Sequence, residues 1–319
     1  MANTSIATSH GLTLEQWESK LYTSYQEQTF FGRFKGTDEN SVIQVKRDLA
    51  KSKGDAITFG LAGTLVGAGV TGNTTLAYGA TSNTGNEEAM SFDDQKVTID
   101  QVRNGTRISG IMDEQRVAFS MRNQAKTQLT DWMARNEDAA IFTAINSCDI
   151  VTAATIGSPT ALSPDVIVKM KKEAMFPTAA NISAGNTTNK LRPIKTEGGE
   201  EVFVLGINPA EAAELRLNAD FKQMNREADV RGKSNKLFSG AMGMISGVVV
   251  YEHSDFDAGK PVLLGAQAGF LAYANEVIYA EEEFDYGNQS GFMIGSVRGV
   301  SLAKFTTNGK SHGAIQFVI

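Results

Sequence analysis

Residues 113–146, DEQRVAFSMRNQAKTQLTDWMARNEDAAIFTAIN, run without a glycine or a proline. Within them Ala118, Met121, Ala125, Leu129, Trp132, Ala139 and Phe142 keep a near-helical spacing, which lines one side of an α-helix. At 1.5 Å per residue the stretch predicts a rod of about 50 Å, much longer than an average globular helix. Such a helix is a spine on which other elements are hung. Its opposite side carries Arg116, Arg122, Lys126, Asp131, Arg135 and Asp138, a mixture of signs suited to solvent or to a partner.

Upstream of the rod the composition shifts. Residues 60–85 are rich in Gly, Thr, Ala and Asn, and long segments of this kind are uncommon inside a compact domain unless they are functional. Strand-like words flank them. Val42-Ile43-Gln44-Val45-Lys46-Arg47 and Lys53-Gly54-Asp55-Ala56-Ile57-Thr58-Phe59 come before; Lys96-Val97-Thr98-Ile99-Asp100-Gln101-Val102 comes after and continues toward Arg107 and Ile108. The pattern predicts a two-stranded arm that runs out and returns. Nearer the N-terminus, 13–30 predicts an amphipathic helix with Leu14, Trp17, Leu21 and Tyr25 on one stripe, followed by Phe30, Phe31 and Phe34. That stripe packs either on its own chain or on a neighbour.

Downstream the pattern becomes α/β. Ser163-Pro164-Asp165 opens a helix through Met175, with serine as the cap and proline at the first helical position. Residues 179–193 read as a polar loop. Val202-Phe203-Val204-Leu205-Gly206-Ile207 is a buried strand, and Asn208-Pro209-Ala210-Glu211 begins the next helix with a capping box. Further strands are expected at 247–251 and 261–264. The segment 277–319 reads as largely β, with Phe292-Met293-Ile294-Gly295-Ser296-Val297 and 300–305 as separate strands and an Asn308-Gly309 turn toward Ala314-Ile315-Gln316-Phe317-Val318-Ile319.

Composition restricts the function. The chain has 319 residues, 41% hydrophobic and 21% charged, enough for a substantial core and too ordered in character for general disorder. A formal net charge of −6 argues against holding nucleic acid by phosphate neutralisation. One cysteine, Cys148, leaves no internal disulfide and no multi-cysteine zinc site, as expected for a reducing cytoplasm. The N-terminal residues do not read as a signal peptide, and no apolar run approaches the ~20 residues of a membrane span.

The chemical motifs are weak. Gly67-Ala68-Gly69-Val70-Thr71-Gly72 has dinucleotide-loop spacing, but Asn73-Thr74-Thr75-Leu76-Ala77-Tyr78-Gly79-Ala80 is a poor helix former. That fingerprint requires a helix N-terminus for the pyrophosphate, so the stretch reads as a loop and no cofactor is expected. His10, His253 and His312 are scattered, without metal-ligand spacing. Asp93-Asp94 and Glu281-Glu282-Glu283 read as solvated acidic runs, with a hard cation at the latter as the alternative. With no nucleophile elbow and no phosphate loop, no metal site and no catalytic residue are assigned.

The order of these parts resembles the HK97-like capsid fold, an α+β architecture with an N-arm, an extended E-loop, a P-domain with a spine helix, and an α/β A-domain. The wording of Ile43-Gln44-Val45-Lys46-Arg47-Asp48-Leu49, of Lys53 to Phe59, of Gly69-Val70-Thr71-Gly72-Asn73-Thr74-Thr75-Leu76, of Val97-Thr98-Ile99-Asp100-Gln101-Val102-Arg103 and of Met112-Asp113-Glu114-Gln115-Arg116 resembles the coliphage N4-like major capsid protein family. That similarity is most specific from about Trp17 to Ile145.

The resemblance implies an N-arm over 1–49, an E-loop over 50–94, a P-domain from 95–157 and 276–319 with its spine at about 113–146, and an A-domain over 158–275. It implies a homo-oligomer of hexamers and pentamers forming a virion shell in host cytoplasm, with decoration, scaffolding and portal proteins as further partners. Packaged double-stranded DNA would lie against it without specific contacts, and no membrane is involved. An encapsulin-like compartment is the alternative with the same fold. Inter-subunit contacts are expected from Trp17, Phe30, Phe31, Gly67, Gly69, Gly72, Leu76, Tyr78, Arg116, Arg122 and Arg135. Some shells of this fold weld an E-loop lysine to an asparagine of another subunit. Between Lys53 and Lys96 this chain has no lysine or arginine, so its shell is expected to hold there without covalent links.

Overall fold

The computed structural model describes residues 29–47, 54–62, 90, 92–117, 119–177, 190–196, 199–228, 242–304 and 309–319. They fall into two compact units, one containing 103–135 and 277–295, the other 29–102, 136–276 and 296–319.

In the larger unit β1 (Lys35–Gly36) pairs in parallel with β2 (Ile43–Lys46). The expected two-stranded arm begins with β3 (Ala56–Ala62) and returns with β4 (Phe92–Thr98), antiparallel from Ala56↔Thr98 to Ala62↔Phe92. Ile57, Phe59 and Val97 are buried while Thr58, Gly60 and Thr98 are exposed, the alternation of a strand pair covered on one face. Its core is completed by Phe270, Ala272 and Ala303. β5 (Asp100–Ile108) follows after Ile99, whose amide donates to the Asp55 carbonyl at 3.0 Å.

The long rod is shorter than its sequence suggests. A separate short helix, α1 (Ile111–Arg116), ends at Val117, which is extended at φ −105° and ψ 146°, and α2 spans Met121–Ile145. Its 25 residues amount to about 37 Å rather than about 50 Å. β-branched Val117 accepts an extended backbone readily. Ser120 then starts the new helix, its carbonyl accepting from the Gln124 amide at 3.1 Å and its Oγ from the Asn123 amide at 3.4 Å. A serine able to cap stops and restarts a helix without any glycine or proline.

After β6 (Asp149–Val151), the predicted helix appears as α3 (Pro164–Met175), with the Ser163 side chain accepting from the Val166 amide. β7 (Ile194–Lys195) and β8 (Glu201–Ile207) lead to α4 (Pro209–Leu217), whose capping box is formed by Asn208 and Glu211, and then to α5 (Ala219–Ala228). β9 (Gly243–Ile245), β10 (Val248–Glu252) and β11 (Val262–Leu264) follow. With the C-terminal β14 (Ala314–Phe317), the sheet order is β6-β14-β11-β8-β10-β9, and β7 pairs with β8. β8 and β10 are parallel and almost wholly buried, which explains their continuous apolar runs. α3 and α4 cover one face, with Ile167, Met170 and Leu215 packed on Leu205, Val250 and Phe317.

β12 (Gly269–Phe284) and β13 (Gln289–Leu302) form a long hairpin. The first strand starts earlier than expected, and the two expected strands after Phe292 are one. Gly299 does not break β13 because it serves a close approach: a Cβ there would lie 2.2 Å from the Thr98 carbonyl oxygen. In the smaller unit β13 lies between β12 and β5. One face of these strands is covered by the first half of α2, with Ala125 and Leu129 on Ile108, Phe292 and Ile294. Burying such a leucine contributes about 1.5–3 kcal/mol.

Candidate functional site

Phe30 and Phe31 were expected at a contact between copies, but they belong to this chain's own core. They are 3% and 0% exposed. The Phe30 ring lies 5.2 to 5.8 Å from those of Phe34, Phe142, Tyr251 and Phe256, within the range of favourable aromatic pairing. Their backbone amides donate to the buried Asp138 carboxylate at 2.6 and 2.9 Å. Asp138, read above as part of an outer helix face, is therefore an internal acceptor that fixes the entry of the chain. Trp17 lies outside the described residues.

The root of the β3–β4 pair is fixed by packing and by one glutamine. Phe59 stacks on Phe270 at 4.1 Å, and the Lys46 ammonium lies 4.6 Å from the Phe59 ring centre. Gln95 Nε2 donates to Ser301 Oγ at 2.8 Å and to the Leu302 carbonyl at 2.7 Å. Its Oε1 accepts from the Lys304 amide at 2.6 Å. Gly67, Gly69, Gly72, Leu76 and Tyr78, which the pair would carry, lie outside the described residues.

The three arginines have different placements. Arg122 is a clamp within the smaller unit: its Nε donates to Glu114 at 2.9 Å and its Nη2 to Ser290 Oγ at 2.8 Å, with Glu281 at 3.7 Å. The hydrogen bond and charge of Glu114 raise its pKa above the ordinary value. Lys126 sits 3.5 Å from Glu281, and its pKa is raised by Tyr279 and then by Glu281. Glu281 is thus neutralised by cations of its own chain. Arg116 is exposed and, among the described residues, pairs with Asp113 at 3.5 Å, an arrangement that contributes about 0–1 kcal/mol. Arg135 is exposed, its Nε 3.4 Å from the Asp131 carbonyl.

A second ionic centre, invisible in the sequence, lies inside the larger unit. Arg298, with a side chain 3% exposed, donates to Ser296 Oγ at 3.0 Å, Asn136 Oδ1 at 2.6 Å and Glu137 at 3.4 Å. Glu137 also pairs with Lys35. Burial and the neighbouring Glu137 push the Tyr273 phenol well above its ordinary range. Arg298 borders a groove of about 710 Å³ between Asn136, Ala140 and Thr143 on α2 and Ser301 and Lys304 near β13. No local spacing announces partners 161 residues apart.

The reactive groups have structural surroundings. Cys148 is buried, and desolvation pushes its thiol up to about 12, leaving little thiolate at neutral pH. The His253 ring stacks on Phe142 at 4.8 Å, and burial lowers the pKa of His312. Among the described residues no three His, Cys, Asp or Glu side chains gather to hold a metal ion.

Two open surfaces combine apolar exposure with charge. At the tip of the β12–β13 hairpin, Asp285, Tyr286 and Gly287 have φ of 51°, 54° and 88°. Left-handed backbone at non-glycine residues costs of order 1–3 kcal/mol each. Asn288 holds this turn: its amide donates to the Asp285 carbonyl at 3.0 Å and its Nδ2 to Asp285 Oδ2 at 3.2 Å. Its Oδ1 accepts from the Ile111 amide at 3.4 Å, which places α1 beside the tip. Tyr286, Met112 and Ile111 are 109%, 60% and 50% exposed. The second surface is the outer face of α3, where Val168 and Phe176 are 45% and 62% exposed. Lys169 and Lys172 lie on that face, and the Lys190 ammonium is 5.3 Å from the Phe176 ring centre. Sequence reading missed both, although Asp285-Tyr286-Gly287-Asn288 has turn-forming composition.

Known proteins share this architecture. Residues 5–157 match the family model described as phage capsid protein. The major capsid protein of Pseudomonas phage KPP25 is 26% identical over 348 aligned positions, covering 92% of this chain and 91% of the relative. Among solved structures, the capsid of Ralstonia phage GP4 superposes with a TM-score of 0.76 at 24% identity, covering 99% of this chain and 97% of that one. The capsid of cyanophage Pam1 gives 0.76 at 22% identity over 100% and 99%. The head of Helicobacter pylori bacteriophage KHP40 gives 0.76 at 15% identity over 97% and 96%. The fold is the HK97-like fold of phage capsid proteins, and the similarity extends over phage major capsid proteins without singling out the coliphage N4-like branch.

Proposed function

We propose that this chain is the major capsid protein of a tailed bacteriophage, assembling as pentamers and hexamers into an icosahedral or prolate head around double-stranded DNA. The observation that carries this reading is the relation to a phage major capsid protein along nearly the whole of both chains. Its relatives named above are phage capsid proteins, which favours a virion shell over a cellular compartment of the same fold. Within this reading 1–49 acts as the N-arm and 50–94 as the E-loop. The P-domain comprises 95–157 and 276–319, and the A-domain 158–275. The quoted sequence words from Trp17 to Ile145 favour the N4-like branch.

Function then resides in surfaces between copies. Arg116 and Arg135, exposed and weakly engaged, remain contact residues in this proposal, as do Trp17, Gly67, Gly69, Gly72, Leu76 and Tyr78. Arg122 acts through the clamp it forms with Glu114. Assembly takes place in host cytoplasm, with scaffolding, portal and decoration proteins as partners.

Expressing the chain and viewing it by electron microscopy tests the reading, with scaffolding and portal proteins added if it stays unassembled alone. Closed shells, tubes or capsomers are expected. A compact monomer that persists at high concentration with those proteins present refutes it. Boiling the shells in detergent is expected to release monomers; a covalent ladder on the gel refutes non-covalent closure at the E-loop.

A further inference from the structure

We infer that the pocket between residues 33–42 and the sheet of the larger unit is a binding site for a small amphiphilic carboxylate, a chain or ring of roughly six to eight carbons with one anionic head. The inference goes beyond the shell-forming reading and stands without it.

Alternation along the sheet makes the pocket. Phe203, Leu205, Val248 and Val250 pack toward α3 and α4, so Val202, Val204, Val249 and Tyr251 point to the other face. There residues 33–42 cross over them and leave a space of about 210 Å³. The crossing segment is drawn into a loop by the Ile43 amide, which donates to the Phe34 carbonyl at 3.1 Å. Asn40 holds it to β7 by exchanging hydrogen bonds with the Lys195 backbone. Val202, Val204 and Val249 are buried, yet they line the space together with Ile194. Protein interiors hold few voids larger than a water molecule, and a cavity of about 150 Å³ lined by such side chains takes up benzene. An apolar space of this size calls for an apolar occupant.

The rim has the opposite chemistry. Arg33 is exposed, with its guanidinium 5.4 Å from the Tyr251 ring centre and hydrogen-bonded to the phenol. A guanidinium has five N–H donors, so contact with Tyr251 and with a carboxylate are compatible. Lys35 is the second cation of the lining, and Glu137 already matches it. Among the described residues no carboxylate lines the space. Asp38 and Glu39 belong to the crossing segment without lining it, and Glu39 pairs with Arg192 at 3.4 Å. The charge left at the rim is therefore positive, through Arg33. Charge-assisted hydrogen bonds to a guanidinium favour an anionic head over a neutral one.

An occupant touches residues 33–42 on one side and β7, β8 and β10 on the other. It joins the two across the space that their own side chains leave, and a ligand held by the folded form alone raises Tm as its concentration rises.

Titration of the whole unassembled chain with sodium octanoate tests the site, read by equilibrium dialysis and by Tm. Saturable binding of one octanoate per chain is expected, with Tm rising in step. Octan-1-ol, which has the same body without the charge, should bind about tenfold or more weakly, as should octanoate to Arg33→Gln. The affinity of that variant for octan-1-ol should be unchanged. Ile194→Phe, at a half-buried position, should fill the space and abolish the binding of both, with circular dichroism matching the wild type. Because Arg33 is exposed, its replacement tests the site even where Ile194→Phe fails to fold. Absence of saturation by about 10 mM octanoate overturns the site. Equal affinities for octanoate and octan-1-ol, or octanoate binding undiminished in Arg33→Gln or in a folded Ile194→Phe, overturn it as well.

Discussion

Replacing Asp138 by alanine isolates what fixes the entry of the chain into the larger unit. The carboxylate, 4% exposed, accepts from the Phe30 and Phe31 amides. Truncation leaves two buried donors without this acceptor, at about 1–3 kcal/mol apiece, so a loss of about 4 kcal/mol is expected at mid-range. For a unit of this size each kcal/mol lowers Tm by about 2–4 °C, giving a fall of about 8–16 °C. Calorimetry on the unassembled chain is the assay, because assembly would add stability by mass action. Asp138→Asn keeps one side-chain oxygen for two donors and is expected to fall between. A melt within about 2 °C of the wild type for the alanine variant would refute the argument, since it would mean that the amides find other acceptors.

Arg298→Ala removes the donor to Asn136 and leaves Glu137 with Lys35 as its partner, and is expected to cost about 1–3 kcal/mol in urea denaturation; adding Glu137→Gln should recover part of that loss, and strict additivity would argue against a coupled network. Glu211, held in the α4 capping box, has its pKa raised by burial. A carboxyl whose folded pKa lies above its unfolded value favours folding in its protonated form, so its contribution is lost as pH rises from the ordinary glutamate value through the folded one. The stability of Glu211→Gln relative to wild type should therefore rise as the pH increases above the ordinary glutamate value of about 4; a flat difference curve would contradict the assignment. Cys148 is expected to resist thiol reagents in the native chain and to react fully once unfolded. Rapid native labelling would contradict its burial.

Local chemistry was legible wherever the chain specifies itself within a few residues. Ser163-Pro164 and Asn208-Pro209 announce α3 and α4 because a cap, a fixed proline φ and a returning carboxylate act within one turn. The β3–β4 pair was legible from its alternation on either side of the glycine-rich stretch. The start of α2 was not, because a serine cap leaves no composition break. Asp138 was misplaced for a different reason. Periodicity identifies which residues share a helix face, but the partner of Asp138 is the backbone of Phe30 and Phe31, more than a hundred residues away. Arg298 and Glu137 escaped similarly, and Gly299 reads as a strand breaker until the Thr98 carbonyl is seen against it.

That glycine bears on how force would travel through an assembled head. With Gly299 the backbones of β4 and β13 approach closely, and Gln95 adds bonds to the Ser301 hydroxyl, the Leu302 carbonyl and the Lys304 amide. In the shell proposed above, a pull on the β3–β4 pair by a neighbouring copy would be shared by the three bonds of Gln95 and this close backbone approach. Any side chain at position 299 would prise the two backbones apart. Its effect should be most visible in bursting pressure, a mechanical property, before it is visible in the fold.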